Sequence, residues 1–167
     1  NVLAFGSDWR WIYPADGLGE GWHAVGFDDS TWVSGPGQFG YGDSDESTVI
    51  STDPAPRPMT AYFRTTVDVT DPAQFSGVLG ALIRDDGAVI YVNGVEVARE
   101  NMPEGPITPT TPAVAGIANR ADEKAPVALT IGSDAFVPGS NTIAVEIHNA
   151  NRWSGDLSFD LELLGQP

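Results

Sequence analysis

The densest set of ligand-recognising groups lies near the C-terminal end, in Asn149-Ala150-Asn151-Arg152-Trp153-Ser154-Gly155-Asp156. An aromatic face stacks on the C–H surface of a sugar ring, while planar amides, carboxylates and guanidinium groups catch paired hydroxyls. This short stretch carries all of those groups, so the chemistry it suggests is recognition of a polyhydroxylated ligand, without bond making. Tyr41, Arg84, Asp85 and His148 are the residues expected to complete such a surface with Asn149, Asn151, Arg152 and Trp153. The competing reading is that Trp153 folds over the end of the domain and its polar neighbours are merely solvated.

A second cluster, Gly42-Asp43-Ser44-Asp45-Glu46-Ser47, brings carboxylates close enough together for a hard cation such as calcium. It does not follow the EF-hand spacing, because Thr48 stands where the loop glycine belongs and Pro54 where the bidentate glutamate belongs. An irregular calcium site through Asp43, Asp45 and Glu46 is one expectation; a solvated acidic loop is the other.

Catalytic signatures are missing. The chain has no G-x-S-x-G elbow and no H-E-x-x-H pair, and its two histidines among 23 acidic residues define no distinctive acid/base pair. Gly35-Pro36-Gly37-Gln38-Phe39-Gly40 matches a dinucleotide fingerprint by letters but lacks its strand-to-helix context. With no cysteine there are no disulfides, thiol nucleophiles or cysteine-ligated zinc, and only His23 and His148 remain as imidazole ligands. The expectation is a non-enzyme.

A formal charge of −15 repels a phosphate backbone and no basic cluster interrupts it, which argues against nucleic acid and anionic membranes as partners. No apolar run approaches the roughly 20 residues of a membrane helix. The opening Asn1-Val2-Leu3-Ala4-Phe5 lacks the basic segment of a signal peptide, so the chain reads as a mature protein or a module excised from a larger one. At 167 residues it is read as one domain spanning 1–167. A domain of that size buries roughly 70% of its unfolded surface and needs no staples.

The elements that must position these residues are strands. Glycine and proline punctuate the whole chain, and the segments between them are short and rich in Val, Ile, Thr and Tyr. The spacing predicts strands at 61–69, 78–84, 88–92, 95–98, 127–131, 142–148 and 157–163, with any helix limited to a single turn. In the last strand Leu157, Phe159, Leu161 and Leu163 alternate with Ser158, Asp160 and Glu162, so one face is core and the other wet. Asp85-Asp86-Gly87 and Asn93-Gly94 supply residues that tight hairpins require, which makes 78–98 a three-stranded meander with Asp86 and Asn93 as turn formers. Trp9, Trp11, Trp22 and Trp32 are expected in the core, with Asp29 capping a turn ahead of Trp32.

Successive antiparallel strands alternate between the two ends of a sandwich. Taking the Asp85 end as the top, this alternation sends 40–60, 84–87, 99–126 and 148–156 to the same end. Loops beyond about 12 to 15 residues are uncommon unless functional, so the top is where a ligand is expected.

Gly26-Phe27-Asp28-Asp29-Ser30-Thr31-Trp32, Thr60-Ala61-Tyr62-Phe63-Arg64, the run from Arg84-Asp85-Asp86-Gly87 to Val95-Glu96-Val97-Ala98, and Pro138-Gly139-Ser140-Asn141 through His148 occur in an order that resembles the jelly-roll sugar-binding domain of glycoside hydrolase family two. They resemble still more the accessory modules beside secreted bacterial phosphoesterases and other hydrolases. The resemblance covers about Trp9 to Leu163. It implies an all-β, antiparallel jelly-roll β-sandwich of the galactose-binding-like kind, secreted, covalently linked to neighbouring domains, with a polysaccharide or other glycan as partner. It also implies a structural calcium near the terminal strands, for which Asp156 and Asp160 are the candidates. Because such folds host binders and spacers alike, the alternative is a structural or adhesion spacer, calcium-stabilised and without a glycan ligand.

Overall fold

The computed structural model describes Asn1 to Pro167 and contains eleven strands: β1 (Asp8–Ile12), β2 (Val33–Pro36), β3 (Phe39–Tyr41), β4 (Thr48–Val49), β5 (Thr60–Val69), β6 (Gly77–Asp85), β7 (Gly87–Val92), β8 (Val95–Glu100), β9 (Val127–Ile131), β10 (Gly139–His148) and β11 (Leu157–Gln166). The one α-helix, α1 (Arg120–Lys124), is a single short turn, and Asn119 caps it by accepting the Asp122 amide at 3.0 Å. The strands form two sheets, six-stranded in the order β2-β1-β5-β10-β7-β8 and five-stranded in the order β4-β3-β11-β6-β9. Neighbouring strands are antiparallel except for β3 and β4. No helix is long and apolar enough to cross a membrane.

Period-two alternation builds the core. Leu157, Phe159, Leu161 and Leu163 are all fully buried and face Phe63, Val145 and Ile147 of the opposite sheet within one apolar cluster. Phe63 and Phe159 lie 4.4 Å apart, centroid to centroid, and Trp9 meets Phe159 edge-on at 5.0 Å. Burying side chains of this size contributes about 1.5–3 kcal/mol each, so these rings bind the two sheets together. Trp9 is buried between the sheets with Trp11 half-buried against it, as the sequence suggests, whereas Trp22 and Trp32 are buried in a second apolar cluster with Tyr62, Val89 and Tyr91 outside the inter-sheet core.

Four local expectations are corrected. Asp85-Asp86-Gly87 does not close a hairpin: β6 pairs with β9 and β11 in one sheet while β7 pairs with β8 and β10 in the other, so the meander is only the β7–β8 hairpin. Turn-forming residues encode a reversal, not the sheet that receives the next strand. Asp86 is more than a turn former, because its Oδ1 accepts the Ile117 amide at 2.8 Å and its Oδ2 the Ala150 amide at 2.6 Å, tying two loops together. Asn93, with φ 51°, does turn the β7–β8 hairpin.

The outer face of β11 is not wet at its upper half, where Ser158 and Asp160 are buried. Gly37 makes room for Asp160, whose carboxylate would lie 2.6 Å from a Cβ at that position. Asp29 does not cap with its side chain; Arg64 takes its carboxylate at 2.8 Å and Arg10 at 3.5 Å, while Asp28 accepts the Ser30 amide. Because β6 runs antiparallel to β11 and β7 to β10, the strand alternation that gathers the loops at one end still holds.

Candidate functional site

The four segments expected at the top meet there. The Asn149 amide donates to Met59 O at 2.9 Å, and the Ala113 amide to Asn149 O at 3.2 Å. Thr60 Oγ1 donates to Pro109 O at 2.8 Å, and the Arg120 guanidinium reaches Asp43 O.

Beneath the rim these contacts are made by residues expected to touch ligand. His148 has no exposed surface: its Nδ1 donates to Thr111 O at 2.7 Å and lies 3.1 Å from Thr60 Oγ1. Its Nε2 is 3.1 Å from Glu146 Oε2 but off the line of a hydrogen bond. Asn149, also fully buried, donates through Nδ2 to the hydroxyls of Tyr13 and Tyr41, at 3.2 Å each. Burial first, eased by these hydrogen bonds, raises the Tyr41 hydroxyl above its ordinary pKa, so it remains a neutral donor. Arg84 is half-buried and paired with Glu100 at 3.1 Å, and Asp85 is 1% exposed. Tyr41, Asp85, His148 and Asn149 are therefore corrected from rim ligands to interior residues. β10 extends to His148, which pairs with Thr60 of β5 and Gly87 of β7, so this end of the strand lies inside the sheet.

Asn151, Arg152 and Trp153 remain exposed. Trp153 is 71% exposed, and the loop that carries it is pinned on both sides. The Arg57 amide donates to Arg152 O at 2.8 Å, Arg152 Nε returns a bond to Arg57 O at 2.8 Å, and Arg57 Nη1 donates to Ser154 O at 2.7 Å. Asn151 Oδ1 accepts the Trp153 amide at 2.8 Å, an Asx turn that sets the backbone beneath the indole. Arg57 in turn stacks over the Tyr41 ring at 4.4 Å. The result is a large flat face held in solvent by a braced loop, flanked by an amide and a guanidinium.

The expected metal residues divide. Asp43, Asp45 and Glu46 bring one carboxylate oxygen each within 4.8 Å of one another, and so do Asp43, Glu123 and Asp156. Asp160 joins neither group, since it accepts the Gly6 and Leu161 amides at 3.0 and 2.9 Å. Asp45 pairs with Lys124, and Glu46 Oε1 accepts the Asp43 amide at 2.9 Å.

Two features lie outside the sequence expectations. Glu123 sits in a polar stretch that reads as solvated, yet α1 buries it. A cleft of about 430 Å³ opens on the outer face of the six-stranded sheet, lined by Trp22, His23, Tyr62, Tyr91 and Glu146 among others. Its rings pack against one another, Trp22 edge-on to Tyr62 at 4.8 Å and His23 stacked on Tyr91 at 4.2 Å, which leaves little ring face for a ligand. The available signal was Glu146, a charge midway along an otherwise apolar central strand.

No protein-family model matches the sequence, and no curated protein matches it. Solved structures do. A β-glucuronidase from glycoside hydrolase family 2 superposes with a TM-score of 0.55 at 15% identity over 88% of this chain and 14% of that enzyme. The Bacteroides uniformis β-glucuronidase gives 0.56 at 17% over 95% of this chain and 17% of that one. A family 2 member from Bacteroides cellulosilyticus gives 0.56 at 18%, covering 96% and 20%.

By fold, this chain is similar to one β-sandwich part of those enzymes. It spans between about a seventh and a fifth of their length. At such identities the likeness establishes the fold, in agreement with the sandwich expected from the strand pattern.

Proposed function

We propose that this chain is a non-catalytic carbohydrate-binding accessory module of a larger secreted protein. The observation that carries the reading is Trp153, whose indole stands in solvent on a braced loop with Asn151 and Arg152 beside it. Stacking plus hydroxyl pairing gives weak affinity, which becomes useful when the module is tethered to a partner domain acting on the same polymer. The small share of the family 2 enzymes that the chain covers supports an accessory role beside a separate catalytic domain. The formal charge of −15 favours neutral glycans over polyuronates.

Calorimetric titration with neutral and acidic polysaccharides tests this. Binding to neutral glycans that vanishes in Trp153→Ala is the expected result, and silence across the whole panel overturns it. The rival reading, a spacer that orients its neighbours, is favoured by the dense locking of the loops at the top; it predicts that silence together with an intact, stable fold.

A further inference from the structure

In the β5–β10 register Tyr62 lies opposite Glu146, and in the β10–β7 register Val89 flanks Glu146 on the other side. Residues directly opposite each other in an antiparallel pair project to the same face. Phe63, Val145 and Ile147 enter the inter-sheet core, so Tyr62 and Glu146 stand on the outer face of the six-stranded sheet, at the floor of the cleft of about 430 Å³.

Two segments wall this cleft. Gly17, with φ 72°, brings the 14–20 loop against 107–109, since a Cβ there would lie 2.1 Å from Pro109 and 3.1 Å from the Tyr62 hydroxyl. The Leu18 amide donates to that hydroxyl at 3.2 Å. The facing segment is fixed by Thr60 Oγ1, which donates to Pro109 O, and by His148 Nδ1, which donates to Thr111 O. The cleft is therefore set by the fold itself, and its volume falls in the range of about 300–1,000 Å³ usual for small-molecule sites.

Its charge is one-sided. Asp16 and Glu20 stand at the exposed edge and Glu146 lies beneath, while no Lys or Arg is among the lining residues. Arg99, on the adjacent β8, is held by Glu96 at 2.8 and 2.9 Å instead. Glu146 is 4% exposed, and the fold uses only half of its carboxylate. Oε1 accepts the Tyr91 hydroxyl at 2.6 Å. Oε2 accepts no hydrogen bond, because His148 Nε2, 3.1 Å away, is off line and the proton that His148 gives to Thr111 is on Nδ1.

A buried carboxylate oxygen without a donor is costly, and a cationic donor in the cleft satisfies it. Asp16, Glu20 and Glu146 belong to neither group of converging carboxylates, so chelation of a metal is not the chemistry they suggest. The packing of the rings on one another leaves little face for a sugar or a quaternary ammonium to stack on. A primary ammonium fits, since it brings three N–H donors on an alkyl chain that Leu18, Trp22 and Ile107 cover. We propose that the cleft binds a small protonated alkylamine, its ammonium hydrogen-bonded to Glu146 Oε2, and that a diamine adds a second ion pair with Asp16 and Glu20 at the edge. The site is independent of glycan binding, because Trp153 is not among its lining residues.

The test is titration of the full chain with putrescine, butylamine, tetramethylammonium and butanediol at low ionic strength, followed by backbone amide NMR shifts. The expected result is saturable binding of both amines, about two- to fivefold tighter for putrescine, with shifts centred on Leu18 and Thr108 and no response to butanediol. Glu146→Gln keeps an acceptor for Tyr91 but removes the charge, and should weaken both amines about tenfold or more. Asp16→Asn combined with Glu20→Gln should bring putrescine to the level of butylamine, and Trp153→Ala should change neither. Amine shifts that do not saturate or that scatter over exposed acids overturn the proposal. So does tetramethylammonium binding as tightly as butylamine, or an affinity unchanged in Glu146→Gln. If Glu146→Gln fails to fold, Glu20→Lys at the exposed edge decides, and putrescine binding that survives it undiminished overturns the proposal.

Discussion

Glu146 and Asp85 are carboxylates buried to nearly the same depth, 4% and 1% exposed, on the outer faces of opposite sheets. Their surroundings differ sharply. Glu146 Oε1 accepts the Tyr91 hydroxyl at 2.6 Å, and Oε2 lies 3.1 Å from the buried His148 ring. Burial and the neighbouring carboxylate hold the Tyr91 hydroxyl above its ordinary pKa, so it stays protonated and donating. Asp85 has no donor and faces further acids. Glu146 has a hydrogen-bond donor within the protein and serves the fold, whereas Asp85 has none and is stabilised by holding its proton.

The largest expected effect tests the satisfied member. Glu146→Ala should cost about 2 kcal/mol in urea unfolding, because the Tyr91 hydroxyl would lose its acceptor. Asp85→Asn should be neutral or stabilising, since it removes a buried carboxyl that makes no hydrogen bond. Equal losses from the two substitutions would erase the contrast.

Acidity is the next lever. The folded value of Asp85, about 9, lies above the ordinary carboxylate value of about 3.9, so its contribution is complete below about pH 4 and lost as pH rises through about 9. The melting temperature should therefore fall by a few degrees between about pH 5 and pH 9, and Asp85→Asn should flatten that slope.

The smallest effect on stability belongs to Trp153→Ala, within about 0.5 kcal/mol because the indole is exposed. The same substitution should weaken glycan binding about tenfold or more. Stability loss together with unchanged binding would show the indole to be part of the fold and not of a recognition surface.

Much of the architecture was legible because it is written in local periodicity. Alternating Leu157, Phe159, Leu161 and Leu163 name a core face, Asn93-Gly94 names a hairpin, and strand alternation names the end where the long loops gather. The site was only half legible. Strand alternation reports which end of the sandwich a residue reaches, but not its distance from the central axis, so His148, Asn149 and Asp85 were placed on the rim beside Trp153 although they lie under it. Glu123 was invisible because a lone acid in a polar stretch has no periodic signal; only the docking of α1 onto β6 makes it a buried group.

By itself the sequence determined that this chain is a β-sandwich, where its strands lie, and which loops share an end, because those properties follow from period-two burial and from turn chemistry acting over a few residues. Tertiary structure alone decided which sheet each strand joins, which polar side chains lose water, and that acids far apart in the chain close around one space. Those outcomes depend on pairings across more than a hundred residues, as between Asp43 and Ser158, and burial that arises at such a distance leaves no trace in local pattern.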